Sequence, residues 1–241
     1  MSTEISAEKQ NAQARISRGI STWFAVNISY ALLMIASLFI SSNNLGWGWA
    51  WAFIAVLIGG QIATAGILIL NNPALMAERG WIQEGSKGWD KVLAILISYS
   101  PLGISILAGL DIRFGWSPHT QAGAQFAALS AIGLGYMMFL WALASNRYFS
   151  AFVRIQTDRG HTVATAGPYQ YVRHPGYVGA ILIYLATPVA LGSLWAMIPT
   201  ICLVGITVIR TALEERTLRS ELDGYASYAE RVRYRLLPGV W

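Results

Sequence analysis

Two short stretches in the last third of this 241-residue chain hold side chains fit for chemistry. The first, Gly167-Pro-Tyr-Gln-Tyr-Val-Arg-His-Pro-Gly-Tyr-Val-Gly179, is dense in Gly, Pro, Tyr, Arg and His and leads straight into an apolar run. Pro175 suits the first turn of a helix, where the N–H it lacks would be unpaired in any residue. That helix would present free backbone N–H groups and the positive end of its dipole beside Arg173 and His174, an arrangement able to bind an anion. The second stretch, Ile209-Arg-Thr-Ala-Leu-Glu-Glu-Arg-Thr-Leu-Arg-Ser-Glu221, continues an apolar run without a break. Arg210 and Glu214 are spaced i,i+4 on one helical face, with Glu221 further along it, and Glu215 with Arg219 makes a second such pair.

Each stretch also admits a plainer reading. Arg and His at the edge of a membrane span often serve lipid headgroups or orientation, and Tyr169, Tyr171 and Tyr177 fit as interface anchors. A solvated, self-paired helix accounts for much of the second stretch. The apolar runs between the two read as a hairpin, however, which sets Arg210 and Glu214 opposite Arg173 and His174. Ionisable groups that converge near the headgroup level mark a functional site by default.

The elements that must position these groups are apolar helices. Hydrophobic residues make up 55% of the chain and charged residues only 12%, against roughly 25% in soluble domains. So few charges cannot cover the surface of a soluble domain, and the mean hydropathy of +0.46 agrees. A bilayer core takes about 20 apolar residues per helix. Runs near that length occur at Ser21–Ile40, Trp47–Leu70, Val92–Leu110 and Ala122–Ala144. Two shorter ones follow at Gly176–Leu191 and Leu194–Ile209, joined through Gly192–Ser193. The expectation is an all-α integral membrane protein with about six transmembrane helices (five to six), the last two forming a tight hairpin or, alternatively, a re-entrant element.

Lysine and arginine orient these spans. They fall in the N-terminal tail, the second connection, the fourth connection and the C-terminal tail, while the opposite connections hold Arg113 alone. Both termini are therefore expected to be cytoplasmic. The net charge of +5 reflects cationic cytoplasmic loops, and no nucleic-acid partner is expected. One cysteine, Cys202, excludes a disulfide framework within one chain and any multi-cysteine metal cluster. His119, His161 and His174 have no zinc-binding spacing, so no metal is expected.

The remaining polar segments are connectors and covers. Met1–Arg18 reads as a short surface helix or as disorder. Trp47, Trp49 and Trp51 fit an interfacial belt. The Asn71–Asp90 connection, with Pro73, Arg79 and Trp81, reads primarily as an interfacial connector and alternatively as a cap over the site. Phe152–Gln156 alternates, Thr157–Gly160 is a turn signal, and His161–Thr165 is placed to pair back as a short hairpin. The tail Gly224–Trp241 either folds back over the site or lies on anionic lipid through its arginines.

The spacing of these motifs, Gly167-Pro-Tyr…Val172-Arg-His-Pro-x-Tyr-x-Gly179, then a hairpin, then Glu214-Glu215-x-x-Leu218 and Tyr225-x-x-Tyr228-x-x-Arg231-Val232, resembles the isoprenylcysteine carboxyl methyltransferase family. The phospholipid N-methyltransferases carry a similar arrangement. The resemblance covers about Asn146–Trp241 and divides the chain into residues 1–145, with four spans, and a catalytic region at 146–241. It implies S-adenosylmethionine as methyl donor, held in a cytoplasm-facing pocket by Tyr169, Arg173, His174, Pro175, Tyr177, Gly179 and Glu215. Arg210 and Glu214 would then lie nearer the methyl acceptor.

The implied acceptor is an amphiphilic small molecule or a lipidated substrate, entering sideways from the membrane lipids. An isoprenylcysteine-like carboxylate is favoured, with lipid amine N-methylation as the other form. A carboxylate is already nucleophilic and Arg210 would orient it, whereas an amine requires a base, Glu214 or His174. Two rivals stand against this reading. A membrane lipid reductase of the sterol type would use a nicotinamide cofactor, but such enzymes tend to carry Asn where Gly176 stands here. A non-enzymatic scaffold or small transporter is the other, and the span middles offer it almost no ionisable groups. Gln61 fits interhelical hydrogen bonding better than a transport pathway.

Overall fold

In lipid, a backbone must satisfy its own N–H and C=O groups, so apolar runs of this length become helices. A computed structural model describes the backbone of residues 2–241 and the side chains of residues 10, 11 and 13–241. Among these, no strand forms. Five helices are long and apolar enough to cross a membrane. They are α1 (Ser2–Ser42, of which Gln13–Ser42 is the apolar part), α2 (Gly48–Asn71), α4 (Gly88–Phe114), α5 (Ala122–Ser145) and α7 (Met197–Glu221). Between α2 and α4 lies the short α3 (Pro73–Glu78), and the C-terminal region adds α6 (Pro175–Leu191) and α8 (Tyr225–Arg231).

The fifth expected span, Gly176–Leu191, is the exception. Helix α6 has 17 residues, which at 1.5 Å each gives about 26 Å, short of a hydrocarbon core of roughly 30 Å. Its end is set by Gly192 at φ 74°, a left-handed conformation that glycine adopts without strain, and Ser193 Oγ then caps the turn by accepting from Ala196 N at 3.1 Å. Helix α7 begins three residues later than the apolar run suggests and continues to Glu221, carrying the charged stretch on the same continuous helix.

Helix α5 packs most extensively on α6, and α4 contacts α1 and α7. The α5–α6 crossing is close because both helices place glycine there. A Cβ on Gly179 would lie 2.8 Å from the Phe139 nitrogen and against the Gly135 oxygen; one on Gly135 would lie 2.7 Å from the Gly179 oxygen. The main core joins Leu38, Phe53, Ile104, Ile132, Leu191 and Leu203, while Leu32, Ile62, Leu134 and Ile201 point outward.

Three expectations are corrected. The segment Ser2–Arg18 is neither a separate surface helix nor disordered but continues unbroken into the first span; Met1 lies outside the described residues. Trp47 is buried in the core rather than standing in an interfacial belt. The Phe152–Thr165 hairpin has its turn, a 3-10 turn at Thr157–Arg159, but no ladder. Its backbone bonds go to the start of α4 instead: Val153 N donates to Asp90 Oδ2 at 2.7 Å and Lys87 N donates to Val153 O at 3.0 Å. A buried carboxylate and a free helix-start N–H outcompete a two-strand pairing, which is marginal on its own.

Candidate active site

Pro175 opens α6, and the backbone just before it is captured by the C-terminal tail. Arg173 N donates to Tyr234 O at 2.9 Å and His174 N donates to Arg235 O at 3.0 Å. The tail therefore folds back over the motif. Arg173 reinforces this through Nη1, which donates to Val232 O at 2.5 Å and Arg233 O at 2.8 Å. Its other donors form a fork on Glu215, Nη2–Oε1 at 2.9 Å and Nε–Oε2 at 3.1 Å.

Glu215 is the centre of this knot, with 1% of its surface exposed. Besides Arg173 it receives His174 Nε2 at 3.0 Å, the Tyr225 hydroxyl at 2.9 Å and Arg219 Nε at 2.9 Å, the last being the i,i+4 pair read from the sequence. A carboxylate removed from water needs such partners for its lone pairs. Burial, then the Glu215 charge, push the Tyr225 hydroxyl well above its ordinary pKa, so it stays a hydrogen-bond donor at neutral pH. The neighbouring Tyr228 hydroxyl donates to Tyr169 O at 2.7 Å, which fixes the 3-10 turn at Gly167–Gln170 against α8.

Arg210 and Glu214 do not pair with each other. Arg210 instead forms a fork on Asp90, the third residue of α4, with Nε–Oδ1 at 2.7 Å and Nη2–Oδ2 at 3.1 Å, and also donates to Ala151 O at 2.8 Å. Asp90 is fully buried. Glu214 accepts the Tyr177 hydroxyl at 2.7 Å, and the Arg210 guanidinium lies 5.7 Å from the centre of the Tyr177 ring.

Between these groups runs a cavity of about 280 Å³. Its polar end is walled by Tyr148, Tyr169, Arg173, His174, Tyr177, Glu214, Tyr225 and Tyr228, and its apolar end by Ile97, Phe139 and Tyr184. A second cavity of about 290 Å³, lined mostly by apolar residues of α1, α2, α4, α5 and α6, shares Arg79, Phe139, Ala180 and Tyr184 with the first. Of the residues the sequence singled out, Tyr169, Arg173, His174, Tyr177, Arg210 and Glu214 border the first cavity. Pro175, Gly179 and Glu215 do not: Pro175 starts α6, Gly179 faces α5, and Glu215 sits behind Arg173 and His174.

Sequence reading missed Asp90, Asn146 and Tyr148. Asn146 Nδ2 donates to the Tyr169 hydroxyl at 3.2 Å, and Tyr148 borders the cavity. The available signal for Asp90 was an acid opening an apolar run, which is a weak one. The Asn71–Asp90 connection is more than an interfacial connector. Glu78 in α3 accepts from Arg154 Nε at 2.9 Å and from Arg159 Nη1 at 2.6 Å, which pins the Ser150–Gly160 loop beside the cavity. Burial and the charges of Arg154 and Arg159 lower the His161 pKa, keeping this wall residue a neutral imidazole at neutral pH.

Part of this sequence is similar to known proteins. Residues 128–221, from α5 to the end of α7, match the model of the isoprenylcysteine carboxyl methyltransferase (ICMT) family. A protein-S-isoprenylcysteine O-methyltransferase of Schizosaccharomyces pombe is 32% identical over 111 residues, 45% of this chain and 47% of that protein. The match thus spans about half the length of that curated relative. Residues 128–221, which carry the Arg173-His174-Pro175 and Glu214-Glu215 motifs, are thus similar to the isoprenylcysteine carboxyl methyltransferase family.

Proposed function

We propose that this chain is an integral membrane methyltransferase that moves a methyl group from S-adenosylmethionine to the carboxylate of an isoprenylated cysteine. The observation that carries the reading is a polar cavity, bordered by the family's own motif residues, sharing a wall with an apolar one. A water-soluble donor and a greasy acceptor need such adjacent chambers. By the distribution of Lys and Arg, the polar end faces the cytoplasm and both termini lie there.

The polar chamber fits the donor in size and character. Its volume is near the lower end of ligand pockets, roughly 300–1,000 Å³, and tyrosine rings make up much of its wall. Tyr169, Tyr225, Tyr228 and His174 would hold the donor, and tyrosine faces suit both an adenine ring and a sulfonium cation. When bound, S-adenosylmethionine supplies an electrophilic methyl carbon, which forms a C–O bond to the acceptor as its C–S bond breaks. The protein's part is alignment and exclusion of water. Arg173 and Glu215 keep the tail closed over the chamber, and Arg210, neutralised by Asp90, fixes α4 against α7 and braces Tyr177. A carboxylate acceptor needs no proton removed, so no side chain has to act as a base.

Purified protein in neutral lipid vesicles, given methyl-labelled donor and N-acetyl-S-farnesylcysteine, is expected to yield label that mild base releases as methanol. Base-stable label would point to N-methylation. Absence of transfer together with NADPH binding would overturn the methyltransferase reading.

A further inference from the structure

Four arginines border the polar cavity: Arg79, Arg154, Arg173 and Arg210. Three of them are matched by carboxylates, Arg154 by Glu78 and Asp158, Arg173 by Glu215, and Arg210 by Asp90. Arg79 is different. Among the described residues no carboxylate lies within ion-pair distance of it, because the adjacent Glu78 is taken up by Arg154 and Arg159. Its Nη1 donates to Phe149 O at 2.7 Å, and its guanidinium stands 5.6 Å from the centre of the Phe149 ring. Those contacts hold the group in place and leave its other N–H donors without a protein acceptor among the described residues. Neither of those nitrogens is sealed off as a buried unsatisfied atom, so both remain accessible at the cavity wall.

Position sharpens the point. Arg79 borders both cavities, and among the described residues it is the one Asp, Glu, Lys or Arg side chain lining the apolar one. An amphiphile whose tail fills the apolar chamber therefore meets its first cation where that chamber adjoins the polar one. Burial and the nearby Arg210 charge lower the Arg79 pKa to about 10, which leaves it cationic at neutral pH and improved by an anion. A guanidinium with two free donors matches a carboxylate in shape as well as charge.

We propose that Arg79 binds the anionic head of the amphiphilic acceptor, placing its carboxylate at the border of the two chambers. This rests on the methyl-transfer reading, and it moves acceptor capture from Arg210, whose donors are committed to Asp90 and Ala151, to a residue outside the family-matched stretch.

The test compares wild type, Arg79→Gln and Arg79→Lys in phosphatidylcholine vesicles. Binding of N-acetyl-S-farnesylcysteine and of its neutral carboxamide is measured first without donor, and methyl transfer second. Wild type is expected to prefer the acid over the amide. Arg79→Gln should erase that preference and raise KM for the acid by roughly 10–100-fold, the loss typical of one charged hydrogen-bonding partner. Arg79→Lys should recover part of it. Affinity for S-adenosylhomocysteine should stay unchanged in all three. Equal weakening of acid and amide would indicate a packing role and overturn the proposal, as would an unchanged KM. Replacing a fifth of the lipid with phosphatidylglycerol distinguishes the other source of an anion: strong competition against the acid in wild type but not in Arg79→Gln would assign Arg79 to lipid headgroups and overturn the acceptor assignment. A wild type that binds the acid selectively yet transfers no methyl group defeats the methyl-transfer reading alone, because the binding comparison still decides Arg79.

Discussion

Asp111 on α4 and Glu215 on α7 are each about 1% exposed, and they lie by opposite ends of α6. Asp111 accepts from Ser117 N at 2.7 Å, Ser117 Oγ at 2.5 Å and Ser193 Oγ at 2.5 Å. All its partners are neutral, and it clasps the α4–α5 link to the α6–α7 turn with no described cavity beside it. Glu215 binds two arginines, a histidine and a tyrosine, and the groups it orders face a void. The two acids are equally buried and both are hydrogen-bonded, so burial alone does not mark a functional carboxylate. What marks the Glu215 end is the nature of the partners and the unused donors and acceptors around the cavity. Glu214, one residue away, has a single hydrogen bond and borders that cavity.

The largest effect is expected at Glu215. Alanine there strands Arg173 in a buried place without its counter-charge and removes a hydrogen-bond partner of His174; breaking such a buried ion pair typically costs about 3–5 kcal/mol. The tail that Arg173 holds should loosen, and affinity for S-adenosylhomocysteine should fall roughly 100-fold or more by calorimetry. Melting temperature in detergent should fall as well. Wild-type donor affinity in Glu215→Ala would show that the knot does not shape the donor chamber.

Asp111→Ala supplies the contrast. Two hydroxyls and a backbone N–H lose their acceptor, a loss of about 1–3 kcal/mol in stability. Donor affinity and methyl transfer at a temperature well below melting should match wild type. A selective loss of transfer with unchanged stability would erase the distinction between the two ends.

Part of this was legible in the sequence and part was not. The long spans announce themselves because the bilayer sets a length, and the Arg173 and Glu215 motifs because Gly, Pro and charge rarely crowd beside an apolar run. The i,i+4 spacing found the Glu215–Arg219 pair but misread Arg210, whose partner Asp90 lies 120 positions away. A fork from a fully buried carboxylate outcompetes a neighbour on the same helix, and no local periodicity reports that. Arg79 looked like one more loop charge, since only the folded chain shows that Glu78 is already occupied and that two cavities meet at its side. The resemblance assigned Gly179 to the donor pocket, but its close partner is the Gly135 backbone of α5.

The smallest expected effect is also the most discriminating. Glu214 keeps spare acceptor capacity at the cavity, and its use depends on the acceptor. Toward a carboxylate, Glu214 only orients the Tyr177 hydroxyl, and glutamine offers that hydroxyl an equivalent oxygen. Glu214→Gln should then change donor affinity by less than about twofold and lower kcat/KM by roughly fivefold, near 1 kcal/mol. The rate should show no new pH dependence between pH 6 and 8. Were the acceptor an amine, Glu214 would be positioned to take its proton, and the same substitution would cost about 10²–10⁴-fold with a sloping pH profile. A loss of that size would overturn carboxylate methylation and make Glu214, rather than the knot beside it, the chemical centre of this end of the bundle.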